Sequence, residues 1–115
     1  MIQDNQSFTK EYMMKTNFTT DIHYQTNAIV STVILKNEYG TITLFAFDAG
    51  QSLSEHTTPF DALFHCVEGN FNVTIGGHLH SINANEAIVL PAGIPHSVTA
   101  ISRSKFVLTM IKTVK

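Results

Sequence analysis

"FNVTIGGHLHSI", residues 71 to 82, decides what kind of chain this is. Phe71, Val73 and Ile75 alternate with Asn72 and Thr74. Successive strand side chains point to opposite faces, so the three apolar residues face a core and the two polar ones do not. Gly76-Gly77 is a hairpin turn. "HLHSI" then pairs back along the first strand. A half-buried strand, a two-residue glycine turn and a returning strand make up the unit of an antiparallel sheet.

Working outward, the same grammar repeats. Upstream, "AIVSTVILKN" reads as a strand over 28–37, "EYG" as its turn, and "TITLFAFDAG" as a strand over 41–50 that Gly50 closes. "ALFHCV" (62–67) is a further strand and "EGN" its turn. Downstream, "NANE" turns into the strand "AIVLP", "AGIP" turns into "HSVTAI", and "SRS" leads to "KFVLTMIKTV". Roughly eight or nine short strands result, with turn signals about every ten residues, no helix beyond two turns and no internal repeat. That pattern means an all-β sandwich or barrel. Its strand edges must be hidden, by closure or by a second subunit. Residues 1–20 are polar and lack period. They read as an N-terminal arm with a helical turn near Phe8 to Met14, ahead of a single domain over 21–115.

At 115 residues the chain makes one domain with one core. Net charge is −2 without any run of like charge, which excludes a nucleic-acid interface and gives no reason to expect a membrane surface. Only 14% of residues are charged, so much of the surface is apolar or covered and a homodimer is expected. One cysteine rules out an intrachain disulfide. The stretch "MIQDNQSFTKEYMMK" lacks the apolar core of a signal peptide, and no run approaches the ~20 apolar residues of a membrane span. A reducing cytoplasm is the expected compartment.

The chemistry-bearing residues gather in two stretches. In "HTTPFDALFHCVEG" (56–69), Ala62, Phe64 and Cys66 form one set of the strand, and Asp61, Leu63, His65 and Val67 the other. The first set is apolar, so it faces inward, and His65 faces solvent or a subunit contact. An inward Cys66 with no cationic neighbour is an inert small hydrophobe rather than a nucleophile. In "VLPAGIPHSV", His96 starts a strand straight after a stiff Pro-Ala-Gly-Ile-Pro turn, where Gly93 supplies positive φ. Rigid presentation of one imidazole suits a ligand or a general base, and it equally suits a tight barrel corner. His78-x-His80 shares a strand face and reads as an exposed hairpin with at most weak chelation. Nothing marks His23.

These stretches resemble the two cupin motifs. Gly50, His56 and Gly69 fall in register with the first motif, Pro91, Gly93 and His96 with the second, and fifteen residues separate them. "EHTTPFDAL", "PAGIPH" and "LTMIK" look like a subgroup of small bacterial cupins. The resemblance runs from about Ile29 to Ile111 and implies a double-stranded β-helix, or jelly-roll barrel, commonly paired through N-terminal strands. It also implies a metal held by three histidines and a carboxylate, and there the chain departs. Thr58 stands at the second histidine, Ala62 at the glutamate, and Asn85 and Ala100 at the outer glycine and asparagine. His56 and His96 remain as metal ligands, with Asp61 as a third donor if a bulge after Pro59 turns it inward.

The expected ligand pocket is the open end of the barrel, lined by His56, Thr58, Ala62, Phe64, Cys66, Phe71, Val73, His96, Val98, Phe106, Leu108 and Met110. The leading expectation is a cupin protein that binds a small molecule there. The alternative is a metal-dependent oxygenase, isomerase or lyase with His56 and His96 as ligands. A third is a metal-free isomerase or epimerase with a neutral histidine as base. The candidate cofactor is one divalent metal (zinc, nickel, iron or manganese), and the other reading is a pocket without a cofactor.

Overall fold

The structure is a computed structural model that describes residues 15–112. The helical turn expected near Phe8 to Met14 lies outside the described residues. Among the described residues nine strands follow one another without a helix: β1 (Ile29–Asn37), β2 (Gly40–Phe47), β3 (Ser52–His56), β4 (Asp61–Glu68), β5 (Asn70–Ile75), β6 (His78–Asn83), β7 (Ala87–Leu90), β8 (His96–Ala100) and β9 (Ser104–Ile111). They form two antiparallel sheets, ordered β1-β2-β9-β4-β7 and β3-β8-β5-β6. This is the jelly-roll barrel that the resemblance implied, within the all-β class that the alternation indicated. No helix among the described residues is long and apolar enough to cross a membrane.

The inner faces meet in one core. Phe47, Phe64, Phe71 and Phe106 are all but fully buried. Phe106 is the hub. Its ring stacks on Phe64 at 4.1 Å and on Phe45 at 4.7 Å, and meets Phe71 and Phe47 edge-on at 5.2 and 5.5 Å. Each such aromatic pair adds about 0.5–1.5 kcal/mol beyond the area it buries. Phe71 and Val73 are fully buried, as the alternation in 71–75 required, and Gly76 and Gly77 carry φ of 55° and 83° in the turn that follows. Ala62, Phe64 and Cys66 face this core, while Asp61 and Leu63 are exposed.

β3 is a strand that the pattern of residues did not announce. "SLSEH" has one apolar residue, and its burial shows no inward set beyond Leu53. It is a strand because β8 supplies the ladder partner. β2 ends at Phe47 rather than at Gly50, since Asp48 turns the chain and accepts from the Asn27 N–H at 2.7 Å. That bond, together with Arg103 at 2.9 Å and the Ala49 N–H at 2.9 Å, holds the Asp48 carboxyl below its ordinary pKa.

The five-stranded sheet is covered on its outer face as well. Residues 17–24 lie over it, and Ile22 and Tyr24 pack with Leu44, Ala46 and Val107 in a second apolar cluster. Lys105 points to this outer side and is 4% exposed. Its ammonium donates to the Thr19 carbonyl, stands 3.7 Å from the Glu68 carboxylate and lies 4.7 Å from the centre of the Tyr24 ring. A buried charge is tolerable only when it is paired and hydrogen-bonded in this way. Tyr24 in turn donates to Glu68 at 2.5 Å, and burial first, then that bond, raises its phenol pKa well above the ordinary value.

Gly69, between β4 and β5, turns a crowded corner at φ 78°. A Cβ there would lie 2.2 Å from Ser104 Oγ and 2.6 Å from the Arg103 carbonyl oxygen. Ser104 Oγ has no room to yield, being fully buried and accepting from the Asn70 N–H at 2.9 Å. Gly77 has a similar φ of 83° but nothing within 4 Å of a Cβ. The two glycines therefore separate conformational strain from steric collision. Gly77→Ala is expected to cost ~1–2 kcal/mol, the left-handed penalty alone, and Gly69→Ala more than ~3 kcal/mol. Urea unfolding of both variants checks this, and equal losses would refute the collision.

Candidate functional site

The two motif histidines meet because β3 carries a bulge. Leu53 pairs with Val98 and His56 pairs with His96, so three steps along β3 match two along β8. Regular pleating puts residues three apart on opposite faces. The extra residue restores parity and turns His56 to the side of Leu53, Val98 and His96. The imidazole rings stand 4.4 Å apart, edge to face at 67°.

His96 is presented by a turn clamped from three directions. Gly93, at φ 77°, donates its N–H to the Thr58 carbonyl at 2.8 Å. The Ala92 N–H bonds to Asp61 Oδ1 at 2.8 Å, and the Gly76 N–H to the Pro95 carbonyl at 2.8 Å. Asp61 is therefore an exposed clamp on this turn, and no bulge brings it to the histidines. Thr58 serves the same turn through its backbone, and its hydroxyl donates to the Phe60 carbonyl at 2.9 Å.

Each ring is held through Nδ1 by a carbonyl of its own chain two residues back. His56 Nδ1 lies 2.8 Å from the Ser54 oxygen and His96 Nδ1 3.2 Å from the Ile94 oxygen. A carbonyl only accepts, so Nδ1 bears the proton in both neutral rings and Nε2 keeps its lone pair. His56 is exposed at the rim and His96 is 5% exposed. Burial lowers the His96 pKa, the Ile94 bond opposes this, and nearby His56 lowers it further. Among the described residues, Nε2 of His96 has no protein partner, yet no buried side-chain nitrogen or oxygen is left orphaned. That nitrogen therefore opens onto the cleft beside it.

The cleft is lined by both histidines and by Phe45, Leu53, Phe64, Leu90, Val98, Phe106 and Leu108. Its volume is about 40 Å³, room for about three waters. Of the residues expected at the pocket, His56, His96, Phe64, Val98, Phe106 and Leu108 come together here. Phe45, Leu53 and Leu90 join them unannounced: Leu53 because β3 was not legible, Leu90 because it stands beside Ala62 in the ladder. Phe71 and Val73 are core residues away from the cleft.

Four more expected residues do not line the cleft. Ala62 is buried and faces inward, opposite Leu90 and Met110, and the cleft is lined there by its ladder partner Leu90. Thr58 belongs to the clamp. Cys66 is fully buried with its sulfur 3.5 and 3.6 Å from the Glu68 and Gly69 carbonyls, and burial pushes its thiol up to about 11. A protonated thiol of that kind is not a nucleophile. Met110 packs on the edge of the core and lines a separate surface groove of about 270 Å³ with Leu35, Tyr39, Ile42 and Ile111. His78 and His80 are exposed on β6.

A metal centre asks for more donors than these. Catalytic sites use three protein ligands with an open position, and no group of three or more His, Cys, Asp or Glu suited to a metal exists among the described residues. His56 and His96 supply two nitrogens. The full cupin ligand set does not fit this chain, because Thr58 and Ala62 stand at the other two positions.

Residues 43–112 match the family described as the cupin domain. Among solved structures, a conserved protein of unknown function from Streptococcus pyogenes is similar over 91% of this chain and 92% of its own, at 26% identity and a TM-score of 0.84. A cupin 2 conserved barrel domain protein from Leptotrichia buccalis is 33% identical over 79% of this chain, which spans 44% of that longer one, with a TM-score of 0.76. A cupin superfamily protein from Desulfitobacterium hafniense shares the fold at 22% identity and a TM-score of 0.77, over 80% of this chain and 84% of its own. No curated protein matches.

The missing ligands make a direct test. Thr58→His with Ala62→Glu places an imidazole and a carboxylate at the two vacant family positions. A carboxylate buried without a partner costs several kcal/mol, so the metal-free double variant is expected to melt below the parent. Zinc at about a hundredfold excess over Kd is then expected to raise its Tm by ~5 °C or more, while the parent gains less. Calorimetric scans with and without zinc check this. A folded double variant indifferent to zinc would show that positions 58 and 62 do not converge with His56 and His96.

Proposed function

The chain belongs to the cupin domain family, and from that premise we propose that it binds a small molecule in the cleft at the His56–His96 pair. One observation supports this above the others: a buried imidazole, His96, lines an otherwise apolar cleft, and among the described residues its second ring nitrogen has no protein partner. Apolar walls with a few convergent polar groups are the usual make-up of a ligand site. The polar group is also held rigidly, by a turn tied to β3–β4 and to the β5–β6 hairpin. Binding in the barrel, rather than a defined reaction, is the function this favours.

A second reading keeps a divalent metal (zinc, nickel, iron or manganese) on the same pair. The two Nδ1 anchors favour it, since a carbonyl bond on one ring nitrogen orients the other for a metal. With two protein donors, waters would complete the shell and binding would be weak. An oxygenase, isomerase or lyase activity built on that ion would need a third donor from the substrate. Metal analysis of untagged protein never exposed to nickel separates the readings. Less than ~0.1 ion per chain is expected, with His56→Ala unchanged. One ion per chain, lost in His56→Ala, would move the metal reading ahead.

We propose further that two copies pair through β1. Among the described residues β1 is an edge strand of its sheet, and Val33 and Leu35 on it are 57% and 40% exposed. An unpaired apolar edge invites a second strand. Light scattering is expected to give the mass of two chains at micromolar concentration, and a double Val33→Lys, Leu35→Lys variant the mass of one. A single-chain mass for the parent would end the proposal.

A further inference from the structure

We infer that the cleft selects neutral ligands carrying a hydroxyl or N–H donor, such as an alcohol or phenol, over carboxylates and over donor-free molecules of the same shape. The inference rests on the small-molecule reading above and deepens it by naming the ligand class.

Among the described residues, the polar side chains lining the cleft are the two imidazoles, with no lysine, arginine, hydroxyl or carboxylate beside them. Both imidazoles have their Nδ1–H committed to a carbonyl, at Ser54 and Ile94. In the neutral rings the remaining ring nitrogen is an acceptor and has no hydrogen to give. A ligand that brings a donor therefore completes the site. One that brings only acceptors sets lone pair against lone pair.

Charge is disfavoured from both sides. A carboxylate would leave water for seven apolar side chains without any cation to meet it, and a buried unpaired charge is the costliest arrangement available. An ammonium has donors, but no carboxylate lines the cleft to neutralise it. A neutral hydroxyl loses least on entering and gains a bond to His96 Nε2. Space sets the size. About 40 Å³ takes a head of about three heavy atoms, so the rest of a larger ligand lies across the mouth, where His56 is exposed.

Nuclear magnetic resonance titration of the full chain with phenol, anisole and benzoate near neutral pH tests this. Anisole keeps the ring and loses the donor, and benzoate keeps the ring and adds the charge. Phenol is expected to shift the amide signals of Leu53, His96 and Val98 at millimolar concentration. Anisole and benzoate are expected to bind at least ~10-fold more weakly, the worth of one buried hydrogen bond to a group otherwise left unpaired. His96→Leu is expected to erase the preference for phenol over anisole. His56→Ala, at an exposed position that leaves the core intact, is expected to reduce it. Anisole or benzoate binding as tightly as phenol at the cleft would overturn the donor inference and leave the pocket reading standing. Two folded histidine variants that both keep the full preference would overturn it too. No binding of any probe at the cleft would remove the pocket reading and the inference together.

Discussion

The stack of phenylalanines around Phe106 is the constraint on which the rest of the barrel depends. β9 places Phe106 where both sheets can reach it, with Phe45 and Phe64 flat against its two sides and Phe47 and Phe71 at its edges. Interiors pack at crystal-like density, so rings in contact at 4 to 5 Å leave no central channel. The barrel is closed by its own side chains through the middle. What remains is a small cleft at one end, and that smallness governs what the site can hold. A ligand of the proposed kind would enter with a head group and not with its whole body.

The second constraint is local and sits beside the first. His56 and His96 belong to different turns of the chain, and only the bulge in β3 puts them on the same face. The turn before His96 is in turn bound by Thr58, Asp61 and Gly76. These bonds explain the two prolines and the glycine of "PAGIP" better than any role in chemistry would: they are the joints of a bracket that aims one imidazole. Asp61 contributes through that bracket. Its carboxylate is spent on an amide, which is why it does not reach the pair.

Much of the fold was legible because its signal is periodic. The 71–82 hairpin, the inward set Ala62–Phe64–Cys66 and the position of His96 at the start of a strand all follow from alternation and turn residues. β3 was not legible, since one apolar residue in five carries no period and its ladder is imposed by β8. The bulge was not legible for the same reason: it shifts the phase of alternation in a strand with no visible phase. The site suffered most from this. Thr58, Ala62, Cys66 and Met110 looked like pocket residues because they occupy family positions or inward faces, yet an inward face in a filled barrel leads to core and not to cavity. Asn85 shows the opposite case. It stands where the family has glycine and keeps the left-handed backbone, at φ 72°, a conformation asparagine tolerates better than other residues.

The chain therefore keeps the cupin bracket while two of the four metal ligands are replaced by Thr58 and Ala62. The two losses are not equivalent. Losing the glutamate takes away the negative charge that would offset a divalent ion in an apolar setting. Losing one histidine takes away only a donor. What survives is a pair of imidazoles whose Nδ1 atoms each face a backbone carbonyl, and the acceptor nitrogen of a neutral imidazole in an apolar cleft is matched by a neutral donor more readily than by an ion. The same substitutions that weaken the case for a metal thus favour the neutral donor ligand proposed for the cleft. Fold membership alone could not have named it, since one fold carries many chemistries and the side chains at the site decide among them.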